Sequence, residues 1–289
     1  MDILVTGGTG QVGIELLRQD WPEGGVLHAP GRAELDLADP ASVARVVASR
    51  RWDAVISSGA YTAVDKAEGD VAAAWAANAL APAILAKATA EAGVPILHVS
   101  TDYVFPGDKA EPYVEDDPVG PLGVYGASKE GGEQAVRTGN PRHVILRTAW
   151  VVSPHRANFL KTMLRFGAER EELRVVADQH GCPTFAADLA AGIRTIVLRL
   201  VADERAPTGT FHFVGEGEAT WAEFAAAIME AGGCRARVTP ITTVEYPTPA
   251  KRPANSRLST DKLRRLYGIT PPPWRESLKV ALAEIRSAG

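Results

Sequence analysis

The first turn of the chain constrains its fold more than any other stretch. Ile3-Leu4-Val5 is a short apolar run, which reads as a buried parallel strand. Thr6-Gly7-Gly8-Thr9-Gly10-Gln11-Val12-Gly13 follows at once, and Val12 to Leu17 begins a helical pattern. Strand, glycine turn and helix is the context in which a glycine fingerprint marks a dinucleotide site. Missing side chains let the backbone approach a pyrophosphate, and the helix start supplies N–H donors and a positive dipole end. The glycines are spaced Gly7-x-x-Gly10-x-x-Gly13, and a tight turn with no ligand is the competing reading.

Strand and helix patterns then alternate. Val26-Leu27-His28 and Ala54-Val55-Ile56-Ser57 read as the second and third strands, Val71 to Ala92 as a long alanine-rich helix. Ile96 to Ser100 and His143 to Leu146 follow as the fourth and fifth strands. This order predicts an α/β fold with a doubly wound parallel sheet of the Rossmann type. Beyond Trp150 the order is mixed. Arg174-Val175-Val176 and Phe211 to Val214 read as strands, and Leu189 to Val201 and Thr260 to Leu266 as helices.

Tyr125-Gly126-Ala127-Ser128-Lys129 lies downstream of the glycine turn. Residues four apart share a helix face. A free tyrosine, with a pKa of about 10, is a poor acid–base group at neutral pH. A lysine ammonium one turn away is expected to pull that pKa down. Leu97-His98-Val99-Ser100-Thr101-Asp102 is an apolar strand ending in hydroxyl residues, and ligands bind at the carboxyl ends of such strands. Thr101 can then share a substrate oxygen with Tyr125. Glycine turn and Tyr/Lys pair together describe a nicotinamide-dependent reductase. Pro30-Gly31-Arg32 follows the second strand with no carboxylate to take a ribose 2′-OH, and Arg32 can accept a 2′-phosphate. NADPH is therefore expected in preference to NADH, with both usable.

Thr101, Tyr125, Lys129 and the glycine turn resemble an extended short-chain dehydrogenase/reductase. Gly59-Ala60-Tyr61-Thr62-Ala63-Val64-Asp65-Lys66-Ala67-Glu68, Ser100 to Phe105, Arg147-Thr148-Ala149-Trp150 and Asp178 to Thr184 narrow the resemblance to the dTDP-4-dehydrorhamnose reductase family. The resemblance runs over nearly the whole chain. It implies hydride transfer from NAD(P)H to the C4 ketone of dTDP-4-dehydro-L-rhamnose, with Thr101, Tyr125 and Lys129 as the catalytic triad. It implies cofactor contacts at Gly7, Gly10, Gln11, Val12 and Gly13, at Asp36 and Leu37 beside the adenosine, and at Ala60, Tyr61 and Thr62. It implies substrate contacts at Asp102 and at Trp150, near the deoxysugar. Pro106 stands where the family often has Asp, and Gly59 where it often has Ala.

The family organisation implies a dinucleotide-binding domain over 1–150, with later strands near 186–215 returning to it. A substrate-binding lobe over 151–185 and 216–289 interleaves with it. In that lobe Lys251-Arg252-Pro253 could grip a diphosphate or nucleobase through the planar fork of Arg252. His180 reads as a loop residue, and Trp221 and Phe224, at helical spacing, as core.

With 289 residues the chain is long enough for one large core and a smaller lobe. The formal net charge is −4 and there is no basic run, so nucleic acid is not an expected partner. No membrane span or signal segment is expected. Cys182 and Cys234 make no disulfide framework, which suits a reducing, cytoplasmic setting. The expected partner is a nucleotide-sugar. Some relatives form metal-linked dimers, so a homodimer and Mg2+ are admitted, but no carboxylate cluster places a metal. Two alternatives stay open: a ketoreductase or epimerase for another dTDP-deoxysugar, and a regulatory binding subunit without catalysis. An intact Thr101, Tyr125 and Lys129 speaks against the second.

Overall fold

The computed structural model describes residues 1–288. From the N-terminus come β1 (Asp2–Thr6), α1 (Gln11–Leu17), β2 (Val26–His28), α2 (Pro40–Ala48), β3 (Ala54–Ser57), α3 (Val64–Ala67), α4 (Val71–Trp75) and α5 (Ala81–Glu91). Then follow β4 (Ile96–Thr101), α6 (Val124–Gly139), β5 (His143–Thr148) and β6 (Val151–Val152). The remainder is α7 (Phe159–Glu169), β7 (Glu172–Val176), β8 (His180–Gly181), β9 (Thr184–Phe185), α8 (Ala186–Ala202) and β10 (Gly209–His212). After these come β11 (Ala219–Thr220), α9 (Trp221–Gly232), β12 (Arg237–Ile241), α10 (Asp261–Tyr267) and α11 (Trp274–Ala288).

Six strands form one sheet in the order β10-β5-β4-β3-β1-β2, and all its pairings are parallel. Parallel strands need both faces covered, which is why β1, β3, β4 and β5 are almost entirely buried around apolar runs such as Ile3-Leu4-Val5 and Val144-Ile145-Leu146. Ile3, Val5, Ile56, Leu97 and Leu146 pack with Leu16 of α1 and with Leu189, Ile193 and Ile196 of α8. Leu4, Val55, Ile96 and Ile145 pack with α2, α5 and α6 through Val43, Leu85 and Val136. The chain winds from β1 outward to β2, then back past β1 to β3. A ligand crevice is expected at the carboxyl ends where the winding reverses.

The expected single helix over 71–92 is interrupted. Between α4 and α5, Ala76–Leu80 forms a π-helical turn that carries Asn78. Such a turn presents its residue on a face an unbroken helix would not. Val71–Glu91 is also, by length and a mean hydropathy of 1.4, long and apolar enough to cross a bilayer. It is the one helix of that kind among the described residues, whereas the sequence reading expects no membrane span. The segment packs along α2 and α6.

A second core lies outside the sheet. Leu160 and Met163 of α7, Phe224 and Ile228 of α9, and Trp274 and Leu278 of α11 close over the parallel pair β7–β12. Within the expected lobe boundaries, α10 behaves differently, since Leu263 and Tyr267 pack in the core of the main sheet beside Phe211.

Candidate active site

The carboxyl ends of the sheet open into one cleft of about 870 Å³. Its floor is the glycine turn after β1. Gly7 has φ +75, a left-handed conformation, and a Cβ on Gly13 would lie 2.2 Å from the Gly7 carbonyl. The turn can close only without side chains. Gly10, Gln11 and Val12 line the same floor, with Ser58, Gly59, Ala60 and Thr62 from the loop after β3. Gln11 also locks this floor to a distant segment: its Oε1 accepts from Ser153 Oγ and from Asn158 Nδ2, both at 2.8 Å.

Thr101 ends β4 and Tyr125 and Lys129 project from α6, so the three meet in the cleft. Asn78 on the π turn donates to Ser128 Oγ at 2.9 Å, and Ser128 donates to the Tyr125 carbonyl at 2.8 Å. Burial pushes the Tyr125 phenol up to about 12; the Thr101 hydroxyl pulls it back and Asp102 raises it further. Burial lowers Lys129 to about 8, against the pull of Glu133. The expected lowering of Tyr125 by Lys129 is not seen, since burial raises the phenol instead. The Lys129 ammonium donates to the Val99 carbonyl at 2.7 Å and lies 3.3 Å from His98 Nε2, so it is committed to β4.

Asp102 is 3% exposed and lines the cleft. Its Oδ1 accepts from Thr101 Oγ1 at 3.0 Å, while Oδ2 has no hydrogen-bond partner, although Ser256 is near enough to pull on the carboxyl. Burial pushes this carboxyl up to about 6. Ser100 Oγ and Thr148 Oγ1 are also buried, unpartnered and in the cleft. Buried polar groups are normally satisfied. A row of unsatisfied ones along a glycine-floored cleft fits a large polar ligand such as a dinucleotide.

Trp150 stands between β5 and β6 with φ 50, strained for a residue bearing a side chain. Its indole stacks on Trp221 at 3.6 Å between centroids and 13° between planes, with Gly181 against the ring. Trp221 lines the cleft while its other contacts lie against the second core, whereas Phe224 is fully buried in that core. Arg156 is a further wall residue. Its Nε donates to the Thr9 carbonyl of the glycine turn at 2.7 Å, and no other hydrogen bond engages its side chain among the described residues.

Five expected site residues are not among the cleft's lining. The Arg32 side chain is 84% exposed and pairs with Asp36 at 3.4 Å. Leu37 packs in the core beside Gly59, whose added Cβ would lie 2.6 Å from Leu37 Cδ1. That contact gives a reason for glycine where the family often has Ala. Tyr61 donates its hydroxyl to Asp70 at 3.0 Å. Arg252 is bound to Asp65 Oδ2 at 2.8 Å and to the Ala250 carbonyl, so its fork is already occupied. Cys182 and Cys234 are free thiols, and Cys182 is buried beside Phe105 and Leu258. Among the described residues no group of three or more His, Cys, Asp or Glu side chains could hold a metal ion.

The family model described as the RmlD substrate binding domain matches residues 1–287 of this chain. The chain belongs to the RmlD family. Among RmlD relatives, a dTDP-4-dehydrorhamnose reductase of Sinorhizobium fredii (strain NBRC 101917 / NGR234) is 47% identical over 96% of both chains. A solved dTDP-4-dehydrorhamnose reductase of Clostridium acetobutylicum ATCC 824 superposes with a TM-score of 0.94 at 37% identity, covering 99% of this chain and 100% of that one. Another, of Bacillus anthracis str. Ames in complex with NADP, gives 0.91 at 36% identity, over 98% of this chain and 99% of that one. The RmlD sheet described above is thus of the Rossmann type.

Proposed function

We propose that this protein is an NADPH-dependent dTDP-4-dehydrorhamnose reductase, forming dTDP-L-rhamnose. One observation carries the reading: Thr101, Tyr125 and Lys129 share a single cleft with the glycine turn. The relatives' activity supplies the substrate class, and the NADP complex of the Bacillus anthracis enzyme supports the cofactor. The large domain holds the dinucleotide, and the lobe around α7, α9 and α11 closes over the sugar.

The chain's own residues divide the work as follows. The glycine turn and the fork of Arg156 take the pyrophosphate. When bound, the nicotinamide supplies hydride to the C4 carbon of the ketone. The electron pair of the C=O π bond moves to oxygen, and Tyr125 gives that oxygen its proton. Burial suits Tyr125 to this, because it stays protonated until a base of developing alkoxide strength appears. Thr101 hydrogen-bonds the same oxygen. Lys129 keeps a positive charge one helical turn from the phenolate that remains. Asp102 and the Trp150–Trp221 wall bind the sugar.

The test is turnover of NADPH, followed by absorbance, against a panel of dTDP-4-keto sugars with product identification. dTDP-4-dehydro-L-rhamnose should give the highest kcat/KM and dTDP-L-rhamnose as product. Isomerisation without net NADPH loss would mean an epimerase. In the same assay Arg32→Ala should reduce the NADPH over NADH preference about tenfold, the size of one charge-assisted contact. An unchanged preference would place the 2′-phosphate elsewhere.

A further inference from the structure

The mechanism leaves His98 without a role, although it touches Lys129. His98 is fully buried on β4, and strand pairing sets Ser57 of β3 directly beside it. Its Nδ1 lies 3.1 Å from Ser57 Oγ and its Nε2 lies 3.3 Å from Lys129 Nζ. An ammonium has three donors and no acceptor. Nε2 must therefore be the bare nitrogen and accept, which puts the ring proton on Nδ1 to donate to Ser57. Burial and the neighbouring ammonium both hold the ring well below its usual pKa, so it stays neutral.

The Val99 carbonyl takes a second Lys129 donor at 2.7 Å. One N–H remains, and Lys129 lines the cleft. The glycines of α6 permit this approach, since a Cβ on Gly132 would come within 2.1 Å of the Asn78 carbonyl and 3.4 Å of His98 Nε2.

We propose that His98 is the positioning residue for Lys129: with the Val99 carbonyl it occupies two of the ammonium's donors, so that a single N–H is aimed at the bound cofactor. This rests on the reading of the cleft as an NADPH site. His98 does not touch the reacting atoms. It acts by fixing where Lys129 points and by favouring its charged form. Charged groups also stand on the elements packed against α6. Glu133 is on the helix itself, Arg147 on β5, Asp102 on the turn after β4, Asp65 on α3, Glu68 just beyond it, and Lys87 and Glu91 on α5. Of these, Glu133 is the one that supports the Lys129 charge, and it is itself bound by Arg147 at 2.7 Å.

The experiment compares wild type with His98→Leu, His98→Asn and His98→Gln. It measures the pH dependence of NADPH affinity without sugar, the pH profile of kcat/KM, and Tm. Hydrogen bonding to a charged group favours the charged form, so loss of the acceptor lowers the Lys129 pKa. In His98→Leu the alkaline limb of both profiles should move down by about one unit, and kcat at pH 8, close to the wild-type Lys129 value of about 8, should fall about fivefold. His98→Gln, with a longer arm ending in an acceptor, should return the limb most of the way; the shorter His98→Asn should not. Should His98→Leu fail to fold, the Gln–Asn pair decides. Alkaline limbs that coincide across the folded variants, with only Tm changed, would reduce His98 to packing and overturn the proposal. A wild type that fails to bind NADPH would remove the cofactor reading and the proposal with it. One that binds NADPH with a His98-dependent limb but ignores every dTDP-4-keto sugar would remove the substrate alone.

Discussion

Asp102 lies buried at the mouth of β4 with one carboxylate oxygen unpartnered. Its pKa in the folded protein, about 6, stands above the ordinary 3.8. The folded state therefore binds this proton more tightly than the unfolded chain does. Stability falls as pH rises from about 4 to about 6, and above that the full cost is present, roughly 3 kcal/mol for a shift of about two units. Asp102→Asn keeps an oxygen for Thr101 and removes the buried charge. It should raise Tm by about 5 °C or more at pH 7.5 and change it little at pH 4, while raising the KM for the sugar. A Tm gain equal at both pH values would mean that the charge is not the cause. Why some site residues were legible and others not follows from distance along the chain. Tyr125 and Lys129 are fixed by spacing on one helix, and Thr101 by the end of one strand. Arg156 and Trp221 enter the cleft only because separate segments fold together. Helical spacing put Trp221 and Phe224 on one helix but could not say which of them faced the core. Tyr61 and Arg252 turn to Asp70 and Asp65, partners that no local pattern announces.

At the scale of elements, the alternation of short apolar runs and helices was enough to give the strands of the sheet, because burial on both faces demands that composition. The π turn was not legible. One extra residue in a turn leaves no mark in an alanine-rich stretch, yet it carries Asn78, whose amide donates to the Tyr61 carbonyl and to Ser128. The fit of α6 against this turn depends on Gly132. Gly132→Ala would force a Cβ to 2.1 Å from the Asn78 carbonyl, so α6 must shift and carry Tyr125 and Lys129 with it. The expected result is a loss of about 1–3 kcal/mol in stability and at least a tenfold fall in kcat. Denaturant unfolding and steady-state kinetics on the same sample check both; a stable variant with normal kcat would show that the helix has room to spare.

At the scale of the whole molecule, two hydrophobic cores meet around the cleft, and the Trp150–Trp221 stack joins them: Trp150 follows β5 of the sheet, while Trp221 begins α9 of the second core. The chain returns from the second core to β10, and the packing of α10 on the sheet was not legible, because Leu263 and Tyr267 carry no sign of which core they join. Trp221→Ala should raise the KM for the dTDP-4-keto sugar about tenfold, in line with the loss of an aromatic contact of about 1 kcal/mol and some wall area. NADPH affinity should change less than twofold. Fluorescence titration of NADPH and initial-rate kinetics separate the two; equal losses in both would mean that the stack holds the lobes in register rather than contacting sugar.

Proton transfer from Tyr125 is the claim on which the rest depends. Tyr125→Phe removes one hydroxyl from a buried site and leaves the glycine turn, Lys129 and the wall in place. Measured with NADPH and dTDP-4-dehydro-L-rhamnose, kcat should fall about 10²–10⁴-fold, with Tm and NADPH affinity close to those of the wild type. A variant that keeps near-normal kcat would contradict the account and require another acid in the cleft.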